Sequence, residues 1–315
     1  MISRLVHVGN VVVDLVAAVP ALPARGADVL AHRMDAVAGG GFNVLAAAAR
    51  QGLPAVYAGP VGTGPFADIA VAALRAEGVE VRQRPRPTDT GIVLTVVDDE
   101  GERTFVTSPA SVVGATGAEL AAVVPRPGDA ISVSGYELLH GPTRDALLPW
   151  IAALPAAVAV VHDPGPLAPW SAPGAVRALL DRADWVTANA AEARRITGRT
   201  DPADAACALG GRAGALVRTG AEGCWVAVGG AAPVHVPGFA VDAVDTTGAG
   251  DTHTGAFLAA LARGQDPVAA ARTANAAAAL SVTRPGPATG PTTAALADFL
   301  ATRHGAPTPG PDALP

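Results

Sequence analysis

The chain has 315 residues, half of them hydrophobic and only 4% aromatic, and its 22 basic and 28 acidic side chains give a formal net charge of −6. That length allows one large α/β domain or two smaller ones, with ample Ala, Val and Leu for a core, while an acidic balance without any run of basic residues excludes a surface that tracks nucleic-acid phosphates. All 22 basic residues are arginine, so mechanisms that need a Walker or protein-kinase lysine are closed to this chain.

The apolar stretch from Leu5 to Leu22 is interrupted by Asn10 and Asp14 and preceded only by Arg4, which suits a strand followed by a loop rather than a signal peptide. No apolar run of membrane-spanning length is free of Pro, Gly or charge. Cys207 and Cys224 form no paired-spacing motif and are expected to be two buried small hydrophobes. A cytoplasmic protein that neither spans a membrane nor binds nucleic acid is the expectation.

Along the chain, short β-branched runs alternate with Ala-rich helical stretches. A first strand at Leu5–Gly9 leads to extended segments near 11–13 and 29–37, then a helix near 42–51, a strand at Ala55–Val61 and a helix near 66–77. Residues 91–98 and 103–107, joined by the turn Asp99-Glu-Gly101, break the rhythm as a β-hairpin. The alternation then resumes with strands at 130–134, 158–162, 185–188 and 215–218. Helices interleave with them near 143–153, 174–182, 190–197 and 203–210, and two more run at 250–263 and 267–283. Gly52, Gly78, Gly198 and Gly264 stand where helices should end, and Asp266 with Pro267 caps the start of the last helix. The expected fold is α/β: a three-layer αβα sandwich with a mostly parallel central sheet, covering residues 1–302. A small β-sheet lid is inserted near 11–37 and 89–108, and residues 303–315, rich in Pro and small polar residues, are expected to fray.

The densest chemistry lies in Asp245-Thr-Thr-Gly-Ala-Gly-Asp251. Gly248, Ala249 and Gly250 leave backbone N–H groups bare at the start of a helix, which is an anion-binding arrangement that suits phosphate. Asp251 at that entrance can cap the helix, or it can meet a substrate hydroxyl as a general base.

The whole string resembles the signature of the ribokinase-like, or PfkB-type, carbohydrate kinases. Two further matches follow the same order, Gly39-Gly-Gly-Phe-Asn43 and Asn189-Ala-Ala-Glu192. The resemblance implies Asp251 as catalytic base with Gly248, Ala249 and Gly250 as the anion hole for the transferred phosphoryl group. It implies an acceptor sugar held by Asp14, Gly39, Gly40 and Asn43, with Arg103 on the hairpin as a further contact. ATP would meet Asn189, Glu192, Thr219, Gly220, Gly223 and Asn275. Mg²⁺ would be organised by Glu192 through water, and K⁺, where a monovalent cation is used, by Asp245 and Thr247. Relatives often dimerise through the lid, so a homodimer is implied as well.

The departures fall on the acceptor side. Gly40 replaces the lysine of the common Gly-Gly-Lys-Gly-Ala-Asn, Phe42 precedes the asparagine and is expected to pack behind the pocket, and Val12 stands where ribokinase places a polar ribose contact. His253 is expected to pack or hydrogen-bond rather than to catalyse. The acceptor is therefore a small sugar or sugar derivative other than plain ribose, or a nucleoside. Two other classes compete: a non-catalytic sugar- or nucleotide-binding protein, and an NAD-dependent dehydrogenase suggested by Gly62-Thr-Gly-Pro-Phe-Ala67, which fits a dinucleotide fingerprint.

Overall fold

A computed structural model describes residues 1–166 and 170–303. The first half of the chain runs β1 (Arg4–His7), β2 (Val11–Ala18), β3 (Arg33–Gly40), α1 (Gly41–Arg50), β4 (Ala55–Tyr57), α2 (Pro65–Ala76), β5 (Glu80–Val81), β6 (Ile92–Val97), β7 (Arg103–Thr107), α3 (Gly117–Ala122), β8 (Asp129–Ser134) and α4 (Gly141–Ala152). The second half runs β9 (Ala159–Asp163), α5 (Pro173–Arg182), β10 (Trp185–Asn189), α6 (Ala190–Thr197), α7 (Pro202–Leu209), β11 (Gly214–Arg218), β12 (Gly223–Val228), β13 (Val234–Pro237), α8 (Ala249–Ala262), α9 (Pro267–Ser281) and α10 (Thr293–Arg303).

Nine strands form the main sheet in the order β13-β12-β11-β10-β9-β8-β1-β4-β5. From β11 to β5 every pairing is parallel, and β12 and β13 close one edge antiparallel. Neighbouring residues of one strand enter opposite cores: Leu5 packs on the α1, α2, α8 and α9 side, and Val6 on the α3 to α7 side. Burial on both faces is why these strands read as unbroken apolar runs rather than alternating ones. The scarcity of aromatics is met by close helix packing. A Cβ at Gly255 of α8 would lie 2.7 Å from the Val44 carbonyl oxygen of α1, so the small residue is what lets these two helices approach.

The lid is a separate four-stranded sheet in the order β3-β2-β6-β7. Both expected segments contribute, and β3 runs straight into α1 at Gly40. Five elements escaped the sequence reading: β5, α3, β12, β13 and α10. The first two are very short, and β12 follows β11 through a tight turn without the helix that signalled the other strands. Cys224 is buried as expected, but Cys207 is exposed, because α7 turns Ala205, Ala206 and Leu209 inward and leaves position 207 outside. Apart from Arg303, the segment expected to fray lies outside the described residues. Among the described residues no helix is long and apolar enough to cross a membrane.

Candidate active site

The parallel strands β9, β10 and β11 end side by side at Asp163, Asn189 and Arg218, with Asn189 in register with Arg218. Ligands of open α/β sheets bind beyond this carboxyl edge. The first turns of α1 and α8 meet there as well.

Asp251 lies in the first turn of α8, whose N-cap is Gly248. No side chain caps this helix; Ala249 N turns back to the Thr246 carbonyl at 3.3 Å, and the N–H groups of Gly250 and Asp251 are the ones left at the helix start without an intrahelical carbonyl. The amide of Asn43 in α1 donates to Asp251 Oδ2 at 3.1 Å. Burial, with Asp163 adding like charge, pushes the Asp251 carboxyl up to about 7, against the pull of the Asn43 hydrogen bond and of Arg218. Asn43 itself is buried, and among the described residues its Oδ1 has no hydrogen-bond partner.

The resemblance supplied no role for Arg218. Its Nη2 bonds to Asp163 Oδ2 at 3.0 Å and stands 3.9 Å from Glu192 Oε2, while Nη1 donates to Thr254 Oγ1 at 3.3 Å. Asp163, also unforeseen, accepts from Thr187 Oγ1 at 3.1 Å. The guanidinium lies against Gly250, where an added Cβ would sit 3.3 Å from its central carbon. A strand-end arginine one residue before Thr219-Gly220, in a chain with no lysine, was the available signal.

Asn189 and Glu192 form a capping box that starts α6: the Asn189 side chain accepts from Glu192 N at 2.9 Å, and Glu192 Oε2 accepts from Asn189 N at 2.8 Å. Glu192 is buried, and burial together with nearby Asp163 raises its carboxyl above the ordinary range. Thr219 closes the β11–β12 turn on the Gly223 carbonyl, with Gly220 exposed between them. Asn275 is committed internally, donating to the Val236 and Pro237 carbonyls at 2.9 and 3.1 Å and meeting His253 Nε2 at 3.0 Å. Both residues therefore fasten α8 and α9 to β13, and His253 is a packing and hydrogen-bonding residue.

On the lid side, Asp14 of β2 lies over Gly39 of β3 so closely that any Cβ there would collide with its carboxylate. Burial raises the Asp14 carboxyl to about 6. Gly40 abuts Val12, and Phe42 is buried in the core behind them. A cavity of about 170 Å³ opens beside Val12, walled by Asn10, Arg86, Thr88, Asp89 and Thr90.

Arg103, implied as an acceptor contact, has its guanidinium paired with Asp245 and donating to Thr246 Oγ1 at 3.3 Å. The dinucleotide reading of residues 62–67 needs correction on geometry. Asp89 accepts from Phe66 N at 3.3 Å and Ala67 N at 2.9 Å, so a carboxylate already occupies the helix start that a pyrophosphate would need.

Residues 3–294 match the pfkB family of carbohydrate kinases. The chain is 30% identical to the uncharacterized sugar kinase YegV of Escherichia coli K12, over 82% of this chain and 81% of that one. It is 28% identical to the ribokinase of Bacillus subtilis, over 87% and 91%. Its fold is similar to that of Arabidopsis thaliana ribokinase solved with ribose and ATP, with a TM-score of 0.73 at 23% identity, over 95% of this chain and 99% of that one. With the family's span and the fold in agreement, the chain belongs to the pfkB family of carbohydrate kinases and is a phosphotransferase with an alcohol group as acceptor.

Proposed function

We propose that the protein transfers the γ-phosphoryl group of ATP to a primary hydroxyl of a small sugar or sugar derivative, with Asp251 as general base. The observation that carries this reading is the Asp251 carboxylate itself, poised near neutrality at an uncapped helix start and oriented by Asn43. A base with a pKa near the working pH can take the hydroxyl proton as the bond to phosphorus forms. The buried, unpartnered Asn43 Oδ1 and the Asp14 carboxylate supply acceptors for other hydroxyls of the same molecule. The Gly248–Gly250 segment would stabilise the transferred phosphoryl group through its backbone N–H groups, with that of Ala249 leaving the Thr246 carbonyl to do so.

Mg²⁺ supplies charge neutralisation for the triphosphate. Among the described residues no three His, Cys, Asp or Glu side chains converge on a metal site, which suits an ion held mostly by phosphate oxygens and water. Glu192 and Asp163 would face it, with Thr219, Gly220 and Gly223 on the nucleotide side. The cavity beside Val12 favours an acceptor that extends beyond a simple pentose, so a nucleoside is the second reading. Leu30, Met34, Phe105 and Val106 are exposed on the lid, and a second copy covering them would make the homodimer.

Coupled ADP release, screened against pentoses, hexoses, ketoses and nucleosides with Mg·ATP, tests the reading. Acceptor-dependent ADP is expected. NAD binding without any affinity for ATP would overturn it.

A further inference from the structure

Arg103 stands on β7, an edge strand of the lid, and its guanidinium reaches the core. Nη2 pairs with Asp245 Oδ1 and Nη1 donates to Thr246 Oγ1 at 3.3 Å. The side chains of the pair are only 23% and 21% exposed. Asp245 is also the tie between two loops, because Oδ1 accepts from Thr247 N at 2.9 Å and Oδ2 from Gly286 N at 2.9 Å. One loop leads into Gly248–Gly250 and the other follows α9, so the Asp245 carboxylate fixes the outer wall of the anion hole.

This is the place where the family resemblance puts a monovalent cation, and the fit fails. The carboxylate already faces a permanently charged guanidinium, and each of its oxygens also carries a backbone N–H. We propose that Arg103 stands in for the monovalent cation, so that the enzyme works without K⁺ and the charge that orders the anion-hole loop arrives with the lid. The inference rests on the kinase reading.

An ion binds its loop whether the lid is open or shut. A guanidinium on β7 does so only when the lid is down, and the same lid carries Asp14 and Gly39 over the acceptor. Closing on the acceptor and completing the anion hole thereby become one event, and ATP meets an incomplete hole while the lid stands open to water. Arg103 is a positioning residue here: it acts through Asp245.

The test compares wild type and Arg103→Met in potassium, sodium and choline chloride at equal ionic strength, reading ADP release and thermal melting. Wild type is expected to turn over equally in all three salts and to show no K⁺-specific rise in melting temperature. Arg103→Met is expected to lose turnover by about tenfold or more in choline chloride, to recover part of it in K⁺, and to gain a K⁺-specific melting shift. Several-fold activation or K⁺-specific stabilisation of the wild type would overturn the proposal, as would a variant with unchanged turnover in choline chloride or one that K⁺ does not rescue. If Arg103→Met does not fold, the wild-type salt comparison decides alone. Failure to find any acceptor counts against the kinase reading, while the melting comparison still reads the cation.

Discussion

The Asn43 amide donates to the Asp251 carboxylate across 3.1 Å, joining the first turn of α1 to the first turn of α8. One helix starts where the lid ends and the other starts at the anion hole. A single hydrogen bond thus links the acceptor side of the site to the phosphoryl side.

That bond favours the ionised carboxylate, so Asn43→Ala should raise the Asp251 pKa further above about 7. The base is active when deprotonated. The rising limb of kcat/KM against pH should therefore move to higher pH, with a loss of roughly 10- to 100-fold at neutral pH. A pH profile with an unmoved limb would remove Asn43 from this role.

Arg218 is the cation that two carboxylates share. Arg218→Met should destabilise the fold by about 1 to 3 kcal/mol by leaving Asp163 and Glu192 facing each other at a partly buried site, and Mg²⁺ should restore part of the loss. Melting curves with and without Mg²⁺ check this. Gly250→Ala, which sets a Cβ 3.3 Å from the same guanidinium, should instead lower turnover by about 10²-fold with the fold retained.

Asp14 tests the lid side. Asp14→Ala should raise the acceptor KM by roughly 10- to 100-fold, the worth of a lost charged hydrogen bond, and leave the KM for ATP near wild type. Equal effects on both substrates would place Asp14 elsewhere in the mechanism.

Stability carries its own pH signature. The Asp251 carboxyl ionises at about 7 in the fold against an ordinary value of 3.8. The folded state thus holds a proton that the unfolded chain has released, and this stabilisation is complete below about pH 4 and is lost as pH rises through 7. Asp251→Asn has no such proton to lose. Its melting temperature should match wild type at the acid end and exceed it increasingly from pH 4 to pH 8.

The parallel sheet was legible because each strand buried on both faces leaves an unbroken apolar run, as at Val158–His162, and several helices end at or beside a glycine, such as Gly52 or Gly198. The lid was legible because its hairpin at 92–107 interrupts that alternation. The antiparallel edge was not, since β12 and β13 follow a tight turn at Thr219–Gly223 that no helix announces. In the site, Asp251 stood out at a glycine-rich helix start, and Asn43 was named only through the family resemblance. The partnerships of Arg218 with Asp163 across 55 residues and of Arg103 with Asp245 across 142 residues exist only in the fold, where separate strand ends and the lid converge. The bonds from Asn275 to two backbone carbonyls were equally illegible, because one asparagine in a helix reads the same whether its amide faces a ligand or the main chain.

Acceptor-dependent ADP release by Asp251→Asn measures whether Asp251 removes the acceptor's proton. Asparagine keeps the shape of the site and can still accept from Asn43, so folding and Mg·ATP binding should survive. Turnover should fall by about 10² to 10⁴, the usual contribution of a positioned base. A well-folded Asp251→Asn protein that phosphorylates its true acceptor at the wild-type rate would contradict the account and leave Asp251 as the first-turn acid of α8 and nothing more.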